Sequence, residues 1–203
     1  VAIEMPASVL QAMDRLRRQI QQQAKDQHED RELAGSARWV RPDNMHLTLK
    51  FLGAVPARLI PSIEVALARV AQAFGPIHLN LDGVGVFPNL RRARVLWAGF
   101  GGDITPLLEL QAAIEQEMAA LGYPKEPRPF HPHLTLTRLE AGLPVSLARW
   151  LETSPPKVPV LPITGDGIIL MRSELRPGGP RYTPLATIRL ASAGAETART
   201  EAG

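Results

Sequence analysis

Two segments of this chain are near copies of each other. Residues 41–52 read R-P-D-N-M-H-L-T-L-K-F-L, and residues 128–139 read R-P-F-H-P-H-L-T-L-T-R-L. Seven of the twelve positions match without a gap, at an offset of 87: Arg41/Arg128, Pro42/Pro129, His46/His133, Leu47/Leu134, Thr48/Thr135, Leu49/Leu136 and Leu52/Leu139. Leucine and proline matches are common in a chain this rich in both, but the sequence holds only five histidines, and two of them fall in register. A duplicated unit with two copies of one site element is the economical reading. Any fold for these 203 residues must therefore accommodate two comparable halves.

The element itself reads as a strand. On a strand, residues i and i+2 share a face about 6.5 Å apart. His46 and Thr48 then point one way while Leu47 and Leu49 enter the core, and His133 and Thr135 stand likewise against Leu134 and Leu136. If the halves pack about a pseudo-twofold axis, two imidazoles and two hydroxyls converge on one small cavity.

The rest of the chain interleaves helices with short strands. Val1–Ile3 reads as a strand end. Leu10, Met13, Leu16 and Ile20 mark an amphipathic helix that fades into the charged stretch 25–31, expected to be a solvated helix end or loop. Arg38–Arg41 and His46–Leu52 read as strands. Ile63, Ala66, Leu67, Val70 and Phe74 mark a second helix. Ile77–Phe87 and Arg94–Phe100 are expected strands, followed by a third helix with Thr105–Pro106 as cap and first turn and Gly122 as its stop. His133–Thr137 is a strand, Val145–Leu151 a short helix, and Val158–Ile163, Gly167–Met171 and Tyr182–Leu190 three further strands. No linker separates independent domains, so residues 1–190 are expected to form one α/β or α+β unit, with 191–203 a loose tail.

Composition narrows the chemistry. The absence of cysteine excludes disulfide scaffolds, thiolate metal sites, iron–sulfur clusters and cysteine nucleophiles. Net charge is +3, but 19 of the 23 basic residues are Arg, whose planar fork suits phosphate, so a phosphate-bearing or RNA partner is compatible with the charge, as is simple compositional bias. No apolar run approaches the ~18 residues of a membrane span, and no signal-peptide pattern opens the sequence. A cytoplasmic protein with no membrane partner is expected.

Two histidines with two hydroxyl donors suit in-line displacement at phosphorus. One imidazole takes a proton from water while the other gives one to the leaving oxygen, and the hydroxyls hold the equatorial oxygens. A metal site built on His46, His131 and His133 is the alternative, but no Cys and few well-placed carboxylates accompany it, and it leaves both threonines without a role. His131 is otherwise a loop residue or a helper beside the pocket, and His28 and His78 are assigned no function.

The paired H-L-T-L segments resemble those of the two-histidine (2H) phosphoesterase superfamily. Val1–Pro6, Arg38–Pro42 leading into His46–Gly53, Gly85–Pro88, Arg94–Gly99, Arg128–Arg138 and Pro177–Tyr182 sharpen the likeness to its RNA 2′,3′-cyclic phosphodiesterases, formerly called 2′–5′ RNA ligases. The resemblance covers the chain to about residue 190 and departs from it at the start and in the tail. It implies an α+β bilobal fold, each lobe an antiparallel sheet backed by helices, with the site in the cleft between the sheets. It implies hydrolysis of a 2′,3′-cyclic phosphate on RNA or a nucleotide to a 2′-phosphate, with no metal and no cofactor. By resemblance His46 is the proton donor to the 3′ oxygen, His133 the proton acceptor from water, and Thr48 and Thr135 bind the phosphoryl oxygens. Arg138 matches a phosphate-contacting position, although strict strand parity puts it off the His/Thr face.

Phe130 and Tyr182 are sparse aromatics in loop-like contexts, suited to stacking on a base or to anchoring the core. Arg91, Arg92 and Arg94 form a basic cluster that reads as an RNA-backbone contact or a solvated turn. Gly178–Gly179, between two prolines, is a turn. Two other functions fit the same residues: a noncatalytic RNA-end-binding module, and reversible 2′–5′ ligation. One cleft within one chain makes a monomer sufficient, with no obligatory protein partner.

Overall fold

The computed structural model describes residues 1–177 and 179–192. Its elements, in chain order, are β1 (Ala2–Glu4), α1 (Ala7–Asp26), α2 (Asp30–Ser36), β2 (Ala37–Trp39), β3 (His46–Thr48), α3 (Ile60–Ala71), β4 (Ile77–Phe87), β5 (Val95–Gly102), α4 (Ile104–Ala120), β6 (His133–Leu139), α5 (Val145–Thr153), β7 (Pro162–Gly165), β8 (Gly167–Arg176) and β9 (Gly179–Arg189). They build the expected α+β architecture of two antiparallel sheets, ordered β3-β1-β8-β9 and β2-β6-β5-β4-β7. The lobes are not the two halves of the sequence. Strands from both ends of the described chain make the first sheet, and β2 crosses to pair with β6 in the second.

Helix periodicity sets which faces are buried. Val9, Met13, Leu16 and Ile20 of α1 and Ile63, Leu67 and Val70 of α3 turn inward, as their three- and four-residue spacing requires. Leu47, Leu49, Leu134 and Leu136, the apolar alternates of the repeat, are all buried, each worth about 1.5–3 kcal/mol relative to exposure. No described helix is long and apolar enough to cross a membrane.

Several segments depart from the expected pattern. The charged stretch 25–31 is not simply a solvated end: α1 stops at Asp26, His28 adopts φ 59°, and α2 starts at Asp30. Glu29 between them accepts hydrogen bonds from the main-chain N–H of Ser146 (2.8 Å) and Leu147 (2.9 Å), capping the first turn of α5. With only Leu33 and Ser36 buried, α2 leaves no periodic signal. The strand expected over 46–52 pairs only from His46 to Thr48. Leu49 and Lys50 both donate to the single Val1 carbonyl, and the chain leaves the ladder there. The strand expected over 158–163 pairs with β4 only over Pro162–Gly165, because the preceding stretch carries Pro159, which has no N–H to offer. β8 and β9 pair as far as Arg176 and Gly179, a longer hairpin than their polar ends suggest. Asp103, not Thr105, precedes α4, and its carboxylate accepts the His78 N–H.

Of the expected tail, Ala191 donates its N–H to the carbonyls of Ala71 (3.0 Å) and Phe74 (2.9 Å), and Ser192 is the last residue described. Residues 193–203 lie outside the described residues, as does Gly178.

Candidate active site

The two copies of the repeat lie on strands of different sheets, and β3 and β6 adjoin. Between them is a cleft of about 1430 Å³ whose lining includes His46, Thr48, His133, Thr135 and Arg138. Phe130 and Tyr182 line it as well. Every residue singled out from the repeat is thus brought to one cavity.

Two β-bulges decide which side chains face it. In β6, Leu96 pairs with Thr137 and Trp97 with Thr135, so Leu136 is an extra residue. Parity flips past it: Leu136 and Thr137 are both buried, and Arg138 returns to the face of His133 and Thr135. The off-face position that strict alternation gives Arg138 is corrected by this bulge. In β4, Gly83 is the extra residue, at φ 66°, between the pairs Asp82↔Gly99 and Val84↔Ala98. It packs Val84 and Val86 against the core, leaving Gly85 and Phe87 on the face of Trp97.

Aromatic rings hold both imidazoles. Tyr182 stands edge-to-face with His46, ring centroids 4.6 Å apart. Phe87 stands edge-to-face with His133 at 5.1 Å, and Trp97 lies 5.0 Å from Phe87 and 6.2 Å from His133. Phe87 and Trp97 fall within segments that carry the family resemblance, but the sequence assigns neither a place in the site. Their signal is the glycine spacing of β4 and β5, because a Cβ at Gly85 would overlap the Trp97 ring. A Gly85→Ala variant is expected to force Trp97 aside and cost about 1–3 kcal/mol, as overpacking does. Urea unfolding measures this, and a midpoint equal to wild type contradicts the contact.

The repeat extends to how each ring is oriented. His133 Nδ1 donates to the His131 carbonyl at 2.7 Å, and His46 hydrogen-bonds the Asn44 main chain, each partner two residues upstream. For His133 the carbonyl fixes the proton on Nδ1 and leaves Nε2 free to take another. Burial is the main influence on both rings and holds both pKa values below the ordinary histidine value; the main-chain hydrogen bonds oppose it.

Arg138 has an unusual setting. Its direct cross-strand neighbour is Arg38, which is paired with Glu140 at 3.0 Å, and like charges facing each other are unfavourable. Arg41, Arg128 and Arg176 also line the cleft and reach carboxylates of Asp43, Glu126 and Glu174 at 3.3, 2.7 and 3.5 Å. Among the described residues no carboxylate lies within 4 Å of Arg138, so its guanidinium faces the cleft without a protein counter-charge.

Other candidates separate. Phe130 both lines the cleft and packs on the core. Arg91, Arg92 and Arg94 are exposed outside the cleft lining, and Arg94 donates to the Glu140 carbonyl. Among the described residues no three His, Asp or Glu side chains gather as metal ligands, so His46, His131 and His133 do not form the alternative site.

One polar cluster was not legible in the sequence. Lys50, two residues past Thr48, is buried and donates from Nζ to Glu115 of α4 at 2.6 Å and to the Pro124 carbonyl at 2.9 Å. Glu115 also accepts from Gln111 Nε2 (3.2 Å) and the Glu126 N–H (3.2 Å). The cluster ties the end of β3 to the loop that leads to Phe130 and His133.

A family model described as LigT-like phosphoesterase matches residues 3–97 and 103–182. The RNA 2′,3′-cyclic phosphodiesterase of Methanothermobacter thermautotrophicus is 33% identical over 153 residues, 75% of this chain and 82% of the relative. That of Thermus thermophilus is 36% identical over 155 residues, 74% of each chain. Among solved structures, a Thermus thermophilus protein superposes with a TM-score of 0.70 at 29% identity, covering 95% of this chain and 97% of the other. E. coli LigT in complex with 3′-AMP gives a TM-score of 0.64 at 29% identity, covering 94% and 96%.

Proposed function

Since the chain belongs to the LigT-like phosphoesterase family, we propose that it is a phosphodiesterase that opens the 2′,3′-cyclic phosphate of RNA ends or nucleotides to a 2′-phosphate. The observation that carries the reading is the convergence of His46, Thr48, His133 and Thr135 on one cleft.

In the proposed reaction His133 Nε2 takes a proton from water as the water oxygen attacks phosphorus. The P–O3′ bond breaks on the opposite side, and His46 gives its proton to the departing O3′. Charge grows on the non-bridging oxygens, where the Thr48 and Thr135 hydroxyls donate and the Arg138 guanidinium supplies the counter-charge. One proton enters His133 and one leaves His46, so the site returns to its starting state by exchange with solvent. Nothing in these steps calls on a metal.

The test is incubation with a 2′,3′-cyclic nucleotide and a cyclic-ended oligonucleotide in EDTA, with the product resolved from its 3′-phosphate isomer. The expected product is the 2′-phosphate. Tight binding with no product would favour the noncatalytic end-binding module instead.

A pH dependence follows from the depressed imidazoles. Burial favours the neutral ring, so the base His133 is ready at pH 7 while the acid His46 is largely unprotonated in the free protein. The value of kcat/KM, which reports the free enzyme, is expected to peak on the acid side of ~6.5 and to fall as pH rises through neutrality. Bound phosphate favours the imidazolium facing it, so the alkaline limb of kcat lies at higher pH. A kcat/KM profile still rising above pH 8 contradicts this assignment.

A further inference from the structure

The cleft is larger than one nucleotide needs. Pockets that enclose a drug-sized ligand span about 300–1,000 Å³, against about 1430 Å³ here. Three residues past Thr48, Phe51 lines the cleft while remaining 74% exposed. Its placement follows from its neighbours: Leu49 and Lys50 are both drawn inward, and the next residue is turned out into the open.

A cation lines the same cleft. Lys50 Nζ bonds the Pro124 carbonyl at 2.9 Å, so Phe51 and Lys125 each follow directly on one partner of a single contact. Lys125 is exposed and lines the cleft, and among the described residues no carboxylate lies within 4 Å of it. The neighbouring Glu126 is engaged by Arg128 at 2.7 Å. An open aromatic face and a free ammonium lining one cleft are the pair of groups that binds single-stranded nucleic acid, where the ring stacks a base and the cation meets the backbone.

We propose that Phe51 and Lys125 form a subsite of the cleft for the nucleotide preceding the cyclic end of an RNA strand, with its base stacked on Phe51 and its phosphate held by Lys125. The proposal rests on the phosphodiesterase reading and adds to it that the preferred substrate is an oligonucleotide. Because a ring stacks any base, the subsite discriminates length and not sequence.

The experiment compares kcat/KM for a 2′,3′-cyclic mononucleotide and for a short cyclic-ended oligoribonucleotide in wild type, Phe51→Ala, Phe51→Trp and Lys125→Gln. Wild type is expected to prefer the oligonucleotide. In Phe51→Ala the ratio of the two kcat/KM values falls about 5- to 150-fold, the equivalent of one stacked base, mainly through KM for the oligonucleotide. Phe51→Trp keeps the ratio, and Lys125→Gln lowers it while weakening its salt dependence. A ratio that Phe51→Ala leaves at the wild-type value overturns the subsite, whether both activities are retained or both fall together. Wild type that opens neither substrate overturns the phosphodiesterase reading itself, and the subsite with it.

Discussion

Replacing His46 or His133 with alanine is expected to lower kcat by about 10²- to 10⁴-fold, the range for loss of a positioned proton-transfer group. Each imidazole stands alone in its proposed role: one is on β3 and the other on β6, in different sheets. His131 is the nearest candidate, but it contributes its carbonyl to orienting His133. In the proposed reaction the two rings act on one displacement, so the double variant should lose far less than the product of the two single losses. Both rings are only partly buried, so the variants are expected to remain folded. Circular dichroism and urea unfolding verify this before rates are compared. Variants that hydrolyse a cyclic nucleotide like wild type would remove both residues from the mechanism.

Removing the carboxylate of Glu115 is expected to cost about 3–5 kcal/mol of stability, which is large against a typical total of about 5–15. The Lys50 and Glu115 side chains are 3% and 10% exposed, and their 2.6 Å contact is flanked by the Pro124 carbonyl and the Glu126 N–H. Glu115→Ala leaves the Lys50 ammonium buried with one carbonyl to meet it. Most of the penalty is that orphaned charge, so the double variant Lys50→Met/Glu115→Gln, which removes the charge and keeps an amide for Gln111 and Glu126, should recover much of the loss. Urea unfolding of the three variants decides the matter. A Glu115→Ala loss under about 1 kcal/mol would mean that water reaches the pair and screens it. Because the cluster anchors the loop before Phe130 and His133, Glu115→Ala should also lower activity under conditions where the variant is still folded.

What could be read in advance divides along physical lines. The helices α1, α3 and α4 were legible because each buries a continuous apolar stripe. Helix α2 buries little besides Leu33, so its stability comes from tertiary contacts: Ser36 Oγ donates to the Gly142 carbonyl at 2.9 Å and accepts the Ala141 N–H at 3.0 Å. Strand ends differ from the local pattern wherever a partner strand sets the length, as with β3 against β1 and β7 against β4.

The candidate site shows the same division. His46, Thr48, His133 and Thr135 were identifiable because a period of two is a property of any strand, and a register-matched pair of histidines in a histidine-poor chain is improbable without cause. Arg138 shows the limit of that rule. Its face depends on one unpaired residue, Leu136, opposite a strand about 40 positions earlier in the chain.

A period of two marks the core-facing leucines, and two segments 87 residues apart mark the duplicated His-x-Thr element; the pattern of helices and strands leaves α/β or α+β open, and the family resemblance implies α+β. Three further features came from long-range packing. The two copies lie on adjoining strands of different sheets, bulges at Gly83 and Leu136 turn Phe87 and Arg138 toward the histidines, and Lys50 meets Glu115 across 65 residues. Those outcomes depend on which strands pair and where an extra residue is absorbed. The free energy of the whole packed core settles both, and no local window of sequence contains it.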